Sequence, residues 1–511
     1  MIKKSLLILI LSFLVLSLAG VSHGWQGRMA GMGDPYGLVT DESDFLIHPA
    51  KIADGKGVNF YGNYRFNYTD VMDWNYTLKR FNPVTGALYA REPFRSSGDE
   101  QKHDALLGAA FPLGPGRIGL FFQYSGKRGD FNGRENEVDS GISYFHRFSL
   151  DSDLDAFVLR VLYGVPMGGL KLGSEIQLAY RREENKTFFN EDFSGGLRQS
   201  LTNLPTGTVW PWENLFQFMF PYDSKYWEAL FKGSLEGGMG PAKMTLTVRG
   251  GIIFAGDNKY EFTNVSDIFG SQFVNMDGDV KGWRIGGDLW LRHPIGNGLS
   301  VPLVVKADYQ KITRDGNGPG NGVIGIGGTF FDYKNREKIF RIEIGGGLDK
   351  EFNKGTKVAG GVYYSYLQNK NGFLFTTDTG LFADHSNYPD TREHRVILRL
   401  EGEKELSSSV ALRMGVSGFY GWVKEDLNFN SNLFFGPTSE KISLDGSHWG
   451  IGASLGGTVK FQRFSLEPFI GGGYQKLDLD GDGIRTGFNF LSEVDKLKKE
   501  WSVGGGLSIK F

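Results

Sequence analysis

Hydrophobic and polar positions alternate by twos along most of this chain. The clearest case is 501–511, where Trp501, Val503, Leu507, Ile509 and Phe511 share one face with Gly505. Ser502, Gly504, Gly506, Ser508 and Lys510 fall on the other. Period 2 is the mark of a strand. Four further segments repeat the pattern with charge on one face. In 339–349, Phe340, Ile342, Ile344 and Leu348 oppose Arg341, Glu343 and Asp349. In 283–292, Trp283, Ile285, Leu289 and Leu291 oppose Arg284, Asp288 and Arg292. In 299–310, Leu299, Val301, Leu303, Val305 and Tyr309 oppose Lys306, Asp308 and Gln310. In 395–403, Val396, Leu398 and Leu400 oppose Arg395, Arg399, Glu401 and Glu403. A greasy face turned outward from a closed sheet needs lipid, and a charged face needs a wet lumen.

Turn chemistry orders these strands. Tight turns rich in Gly, Pro and Asn fall at 113–116, 166–169, 238–241, 294–298, 352–356, 406–409 and 461–463, where short hairpins require such residues. Longer polar stretches lie near 127–152, 183–224, 255–279, 313–336, 369–391, 424–446 and 476–498. Short and long connections alternate, as in transmembrane barrels with periplasmic turns and outer loops. The expected fold is all-β, a transmembrane antiparallel β-barrel of roughly 16 strands, 14 to 18 at the limits. In this count 57–80 forms one long first strand with its extension, and 137–148 and 322–333 are strand-like pieces of outer loops.

Composition fits that reading. The 511 residues contain 74 Gly, no Cys and 14% aromatics. After the leader, no apolar run is long enough for a membrane helix. A formal charge of −2 gives no electrostatic case for nucleic acid. Without Cys there is no disulfide, thiolate metal site or Cys-attached haem. Lys3 and Lys4, the apolar run Leu6 to Ala19, and small residues at Ser22 and Gly24 form a secretory signal peptide over 1–24, with a cut after Ala19 as the alternative. The final strand ending on Phe511 resembles the C-terminal strand of bacterial outer-membrane barrels. That likeness implies the barrel-assembly machinery as a partner, outer-membrane lipid as the surroundings, and the outer membrane of a Gram-negative-type bacterium as the location.

Residues 25–56 break the strand pattern. They run through Trp25-Gln-Gly-Arg-Met-Ala-Gly31-Met-Gly, then Asp41-Glu-Ser-Asp44, then His48-Pro49-Ala-Lys-Ile-Ala. This arrangement resembles the mature start of FadL-type outer-membrane transporters, with His48 in place of an Asn. The resemblance covers about 30 residues and general barrel character. It implies that 25–56 plugs or gates the barrel 57–511, with Gly31, Asp41, Asp44, His48 and Pro49 as candidate gate residues, and that an apolar ligand leaves sideways through the wall. A periplasmic tail without a gating role remains the alternative.

Three further places carry candidate chemistry. Trp210, Trp212, Phe216, Phe218, Phe220 and Tyr222 form a dense aromatic run in 183–224; it reads as an apolar vestibule for ligand, or as a loop that packs on itself or at the membrane interface. Asp478, Asp480 and Asp482, followed by Gly483, match the start of a calcium loop, but position 12 is Asn489; a Gly/Asp turn is the alternative, and no other cofactor is indicated. The lumen-facing set Arg284, Asp288, Arg292, Lys306, Asp308, Arg341, Glu343 and Arg399 carries both signs, which suits a wet lumen or a network stapling wall to plug. No His has a Ser two residues away, so the same-face His-Ser pair of barrel lipid hydrolases is missing and no enzyme is expected. The expected function is passive passage of a small apolar solute, with a structural or scaffold barrel (a partner-sheathing conduit or an adhesin) as the alternative.

Overall fold

A computed structural model describes residues 30, 32, 37–39, 42–81, 88–139, 142–194, 216–266, 270–321, 327–353, 355–377, 385–433, 436–462, 464–486 and 490–511. The strands are β1 (Asn59–Phe81), β2 (Leu88–Leu113), β3 (Gly116–Asp139), β4 (Ile142–Met167), β5 (Leu170–Ser194), β6 (Phe216–Met239), β7 (Ala242–Ser266), β8 (Gly270–Gly296) and β9 (Leu299–Asn321). They continue as β10 (Gly327–Asn353), β11 (Thr356–Thr377), β12 (His385–Asn387), β13 (Asp390–Glu405), β14 (Val410–Leu433), β15 (Gly436–Lys460), β16 (Ser465–Thr486) and β17 (Phe490–Lys510). Each pairs antiparallel with its neighbour, and β17 closes on β1 from Tyr61↔Lys510 to Phe81↔Leu491. The three-residue β12 and the longer β13 both lie between β11 and β14, so among the described residues the wall has sixteen positions.

Closure removes every sheet edge. The outward positions of the wall are apolar: Ile344, Leu398, Leu400, Ile451, Ile470 and Leu507 are exposed. The first strand runs from Asn59 to Phe81 as one element. At one end the connections are tight, and Gly168 and Gly169 hold φ of 56° and 92° to make the β4–β5 turn. Phe511 differs from the expected outward ring. It is 3% exposed, stacks on Phe464 at 5.6 Å, and exchanges backbone hydrogen bonds with Phe60.

The other end departs from the expected long loops. β7 runs to Ser266 and β8 starts at Gly270; β14 runs to Leu433 and β15 starts at Gly436. The stretches read as loops are mostly extensions of wall strands, and 137–139, 142–148 and 327–333 are the ends of β3, β4 and β10 rather than separate pieces. The physical reason is that beyond the lipid both faces of a ribbon are wet. The period-2 apolar signal fades there while the hydrogen-bonded ladder continues.

Glycine lets this extension curl inward. Gly316, Gly318 and Gly320 of β9 oppose Tyr333, Phe331 and Thr329 of β10, and without side chains they leave room for rings. Tyr260 and Tyr333 stack at 4.7 Å and 10° although β8 and β9 lie between their strands. Val274, Met276 and Phe331 complete this apolar cluster, and Tyr222 packs against it. A second cluster, Val423, Ile442, Leu444, Leu479 and Val494, lines β14–β17.

Candidate functional site

The N-terminal segment lies within the barrel toward the short-turn end. Glu42–Leu46 and Pro49–Asp54 are 3-10 turns. His48 supplies the extended residue between them (φ −117°, ψ 90°), and Pro at the first position of the second turn has no N–H to leave unsatisfied. Both the His48 and Ile47 amides donate to the Asp44 carbonyl, while the Asp44 carboxylate pairs with Lys51 at 2.9 Å. Two apolar contacts hold the segment across the lumen. Phe45, Leu46 and Ile52 pack on Tyr61, Leu106, Phe121 and Leu162 of β1–β4. Met32, Leu38 and Val39 pack on Trp290, Val304, Ala359 and Tyr363 of β8–β11. Fully burying side chains of this size stabilises the seated segment by about 1.5–3 kcal/mol each.

Polar groups fix the same segment. The Leu46 carbonyl accepts from Arg160 Nη2 at 2.6 Å and from Lys232 Nζ at 2.9 Å. Glu175 lies between these cations, 2.6 Å from Arg160 Nε and 3.0 Å from Lys232 Nζ. One carboxylate and one carbonyl thus compensate two cations, as burial demands. The Ala50 amide donates to Ser234 Oγ at 2.5 Å. Gly173 of β5 touches this turn so closely that a Cβ there would overlap the Ala50 backbone. His48 is 0% exposed, with Nδ1 2.7 Å from Thr247 Oγ1 and its ring edge-on to Trp290 at 4.2 Å. Burial, with Lys51, Lys232 and Arg249 nearby, pushes its pKa from 6.5 down to about 2.

Of the other gate residues, Asp44 and Pro49 lie in this packed segment, whereas Gly31 and Asp41 fall outside the described residues. The lumen set divides into pairs. Arg284 binds Glu228 at 2.7 Å, and Asp288 and Asp308 both bind Arg249. Lys306 lies 3.8 Å from Asp308. Arg292 binds Asp349 and donates to the Leu38 carbonyl at 2.5 Å, stapling wall to segment. Arg399 lies over the Tyr363 ring at 4.7 Å. Arg341 and Glu343 form no ion pair among the described residues.

The aromatic run is only partly described. Trp210 and Trp212 fall outside the described residues, and Phe216, Phe218 and Phe220 belong to the start of β6. Tyr222 donates to Glu183 at 2.7 Å and packs on the curled aromatic cluster. Asp478, Asp480 and Asp482 lie along extended β16, not on a turn. Side chains two apart on a strand are about 7 Å apart, so these three do not converge on one ion as loop positions 1, 3 and 5 would. No group of three His or carboxylate ligands occurs among the described residues.

The wall itself carries a paired feature. On its outward face a groove of about 970 Å³ is floored by Gly360, Gly418, Ala453 and Gly472 and flanked by Leu398, Leu400, Val416, Ile451 and Tyr474. On the inward face a cavity of about 400 Å³ is bounded by Ala30 and Met32 of the N-terminal segment and by Arg65, Lys102, Asp104 and Glu401. Arg399, Val416, Ser417, Gly452, Ala453, Gly472 and Gly473 line both. A wall patch of glycine and small residues therefore separates a polar lumen cavity from an apolar groove facing the surroundings. Reading for alternation missed Arg160, Glu175, Lys232 and this patch; the lone charges inside apolar strands were the available signal for the first three.

No family profile matches the chain, and no curated protein matches it. Among solved structures it is similar to a Pseudomonas aeruginosa FadL homologue, with 10% identity, 97% of this chain and 99% of that chain covered, and a TM-score of 0.44. It is also similar to the P. putida toluene transporter TodX, with 12% identity, 96% and 99% covered, and a TM-score of 0.43. The Ralstonia pickettii toluene transporter TbuX gives 12%, 94% and 98%, and 0.38. At this level of likeness the fold rests on the chain's own strand pairing.

Proposed function

We propose that this chain is an outer-membrane channel that passes small apolar molecules without energy coupling, with its N-terminal segment as a gate. The observation that carries the reading is the back-to-back pair of cavities across one glycine-rich wall patch in β11–β16. An apolar solute gains from entering the outward groove, where Leu398, Leu400 and Ile451 exclude water. A solute held in the inner cavity has only a thin wall between it and that groove. The seated segment limits passage straight through the short-turn end. The route is therefore entry at the strand-extension end, residence beside Ala30 and Met32, and exit sideways at the patch. Phe511 would be the feature read by the assembly machinery. A scaffold that sheathes a partner in its lumen finds less support, because the chain's own residues 37–39 and 42–54 occupy part of that lumen.

The test pairs two measurements on protein folded into lipid. Planar-bilayer recording is expected to give no steady conductance of porin size, and cells making the protein are expected to take up toluene faster than cells without it. Steady ohmic conductance would overturn the gate. Sealed barrels with no gain in uptake would overturn apolar transport.

A further inference from the structure

We propose that the outward face of β9–β11 is a binding site for the phosphates of outer-leaflet lipid head groups. Lys338 of β10 stands directly opposite Lys311 of β9 and directly opposite Lys370 of β11. All three share the outward parity of exposed Leu303, Ile344 and Val362 on the same strands. Arg336, one outward position further along β10, adds a fourth cation. The row begins just beyond Tyr309, Phe340 and Tyr366, at the margin of the apolar band, where head groups lie.

Like charges directly opposed across strands destabilise a sheet. Several other outward cations have found acids: Lys225 with Asp223 at 2.7 Å, Lys281 with Asp279 at 2.8 Å, Lys499 with Asp73 at 2.9 Å. In the row, only Lys370 has an acid partner, Asp390 at 3.2 Å. Lys311, Arg336 and Lys338 have no carboxylate within ion-pair distance among the described residues, although Asp315 lies opposite the neighbouring Lys334. Their long stems can lie along the wall while the charged heads reach outward. A phosphomonoester among three such heads would remove the repulsion and make charge-assisted hydrogen bonds. Charge complementarity and position favour a lipid phosphate over a soluble anion, since the row faces the bilayer and not the lumen.

The proposal rests on the membrane-barrel reading. Wild type, the triple variant K311Q/R336Q/K338Q, the conservative K311R/K338R and the control K186Q, which removes a paired cation, are folded into phosphatidylcholine vesicles. The vesicles contain bis-phosphorylated lipid A, dephosphorylated lipid A, or neither with inorganic phosphate added. Folding and insertion are scored by heat-modifiable gel migration, and lipid retained per barrel by native mass spectrometry. Wild type, K311R/K338R and K186Q are expected to retain bis-phosphorylated lipid A. The triple variant should hold it more weakly, roughly fivefold per lost cation and so on the order of 100-fold. Equal retention by the triple variant, equal retention of the dephosphorylated lipid, or equal occupancy by inorganic phosphate would overturn the lipid-phosphate site alone. Failure of wild type to insert at all would overturn the membrane-barrel reading beneath it.

Discussion

The backbone carbonyl of Leu46 accepts a hydrogen bond from Arg160 Nη2 at 2.6 Å. A main-chain oxygen of the N-terminal segment is thereby tied to a buried charge on the barrel wall. The same guanidinium holds Glu175, so the lock on the segment and the electrostatic balance of the wall are one structure. Arg160→Met should therefore do more than remove a contact. It leaves Glu175 with Lys232 and the side-chain amide of Gln177 as its remaining partners, and breaking a buried pair costs about 3–5 kcal/mol. The expected outcome is a barrel that still folds but flickers open in planar bilayers. A double-mutant cycle with Glu175→Gln should recover part of the loss; strictly additive effects would show that the two residues act separately.

Acid should unseat the segment through His48. Its pKa is about 2 when seated, against 6.5 for the free side chain. The released state therefore binds a proton that the seated state refuses. The stabilisation is fully present above pH 6.5 and falls by about 1.4 kcal/mol per pH unit below it. Between pH 6.5 and 4.5, before most carboxylates titrate, the open fraction should rise by roughly 50-fold. Thr247, Trp290, Lys51, Lys232 and Arg249 surround the ring, and all three charged neighbours oppose its protonation. Bilayer conductance against pH checks this, and His48→Gln should flatten the profile.

Gly173→Ala on β5 should displace the second 3-10 turn while the distant wall strands keep their pairing. The added Cβ would collide with the Ala50 backbone, which is itself pinned by Ser234. Overpacking of this kind costs typically about 1–3 kcal/mol. Amide exchange across 44–54 should speed up, while exchange in β10 and β11 should not change.

How much of this was legible in the sequence varies with the physics of each part. Trp283, Ile285 and Leu289 alternate with Arg284 and Asp288 because lipid and lumen impose opposite demands on neighbouring residues, so the wall could be read two by two. The extensions beyond the lipid could not. There Asp478, Asp480 and Asp482 of β16 look like a turn, although backbone pairing alone keeps them in a strand. The segment 42–54 could be marked as not strand, but its anchors could not be foreseen. Arg160, Glu175 and Lys232 meet on the consecutive strands β4, β5 and β6, but Leu46 lies 114 residues before Arg160, and only seating of the segment in the lumen brings it to them. The glycine patch was equally hidden, since Gly360, Gly418 and Gly472 come from three strands and mean little singly.

That patch yields the prediction closest to function. Gly418 points outward on β14, and a Cβ there would meet nothing closer than 3.6 Å. Gly418→Val therefore fits without a clash at Cβ and places two methyls in the outward groove. A β-branched residue also suits a strand better than Gly, so stability should hold or rise, by up to about 1 kcal/mol. The seated segment is untouched, and conductance should stay at the wild-type level. Uptake of an apolar solute should fall several-fold because the exit side of the wall is filled. Gly233→Val, on β6 and away from the groove, is the matched control, with only 3.8–3.9 Å contacts at its Cβ. If both variants transport at the wild-type rate, the solute does not leave through this patch. A fall in Gly418→Val alone, with an unchanged thermal midpoint, would place the exit between β11 and β16.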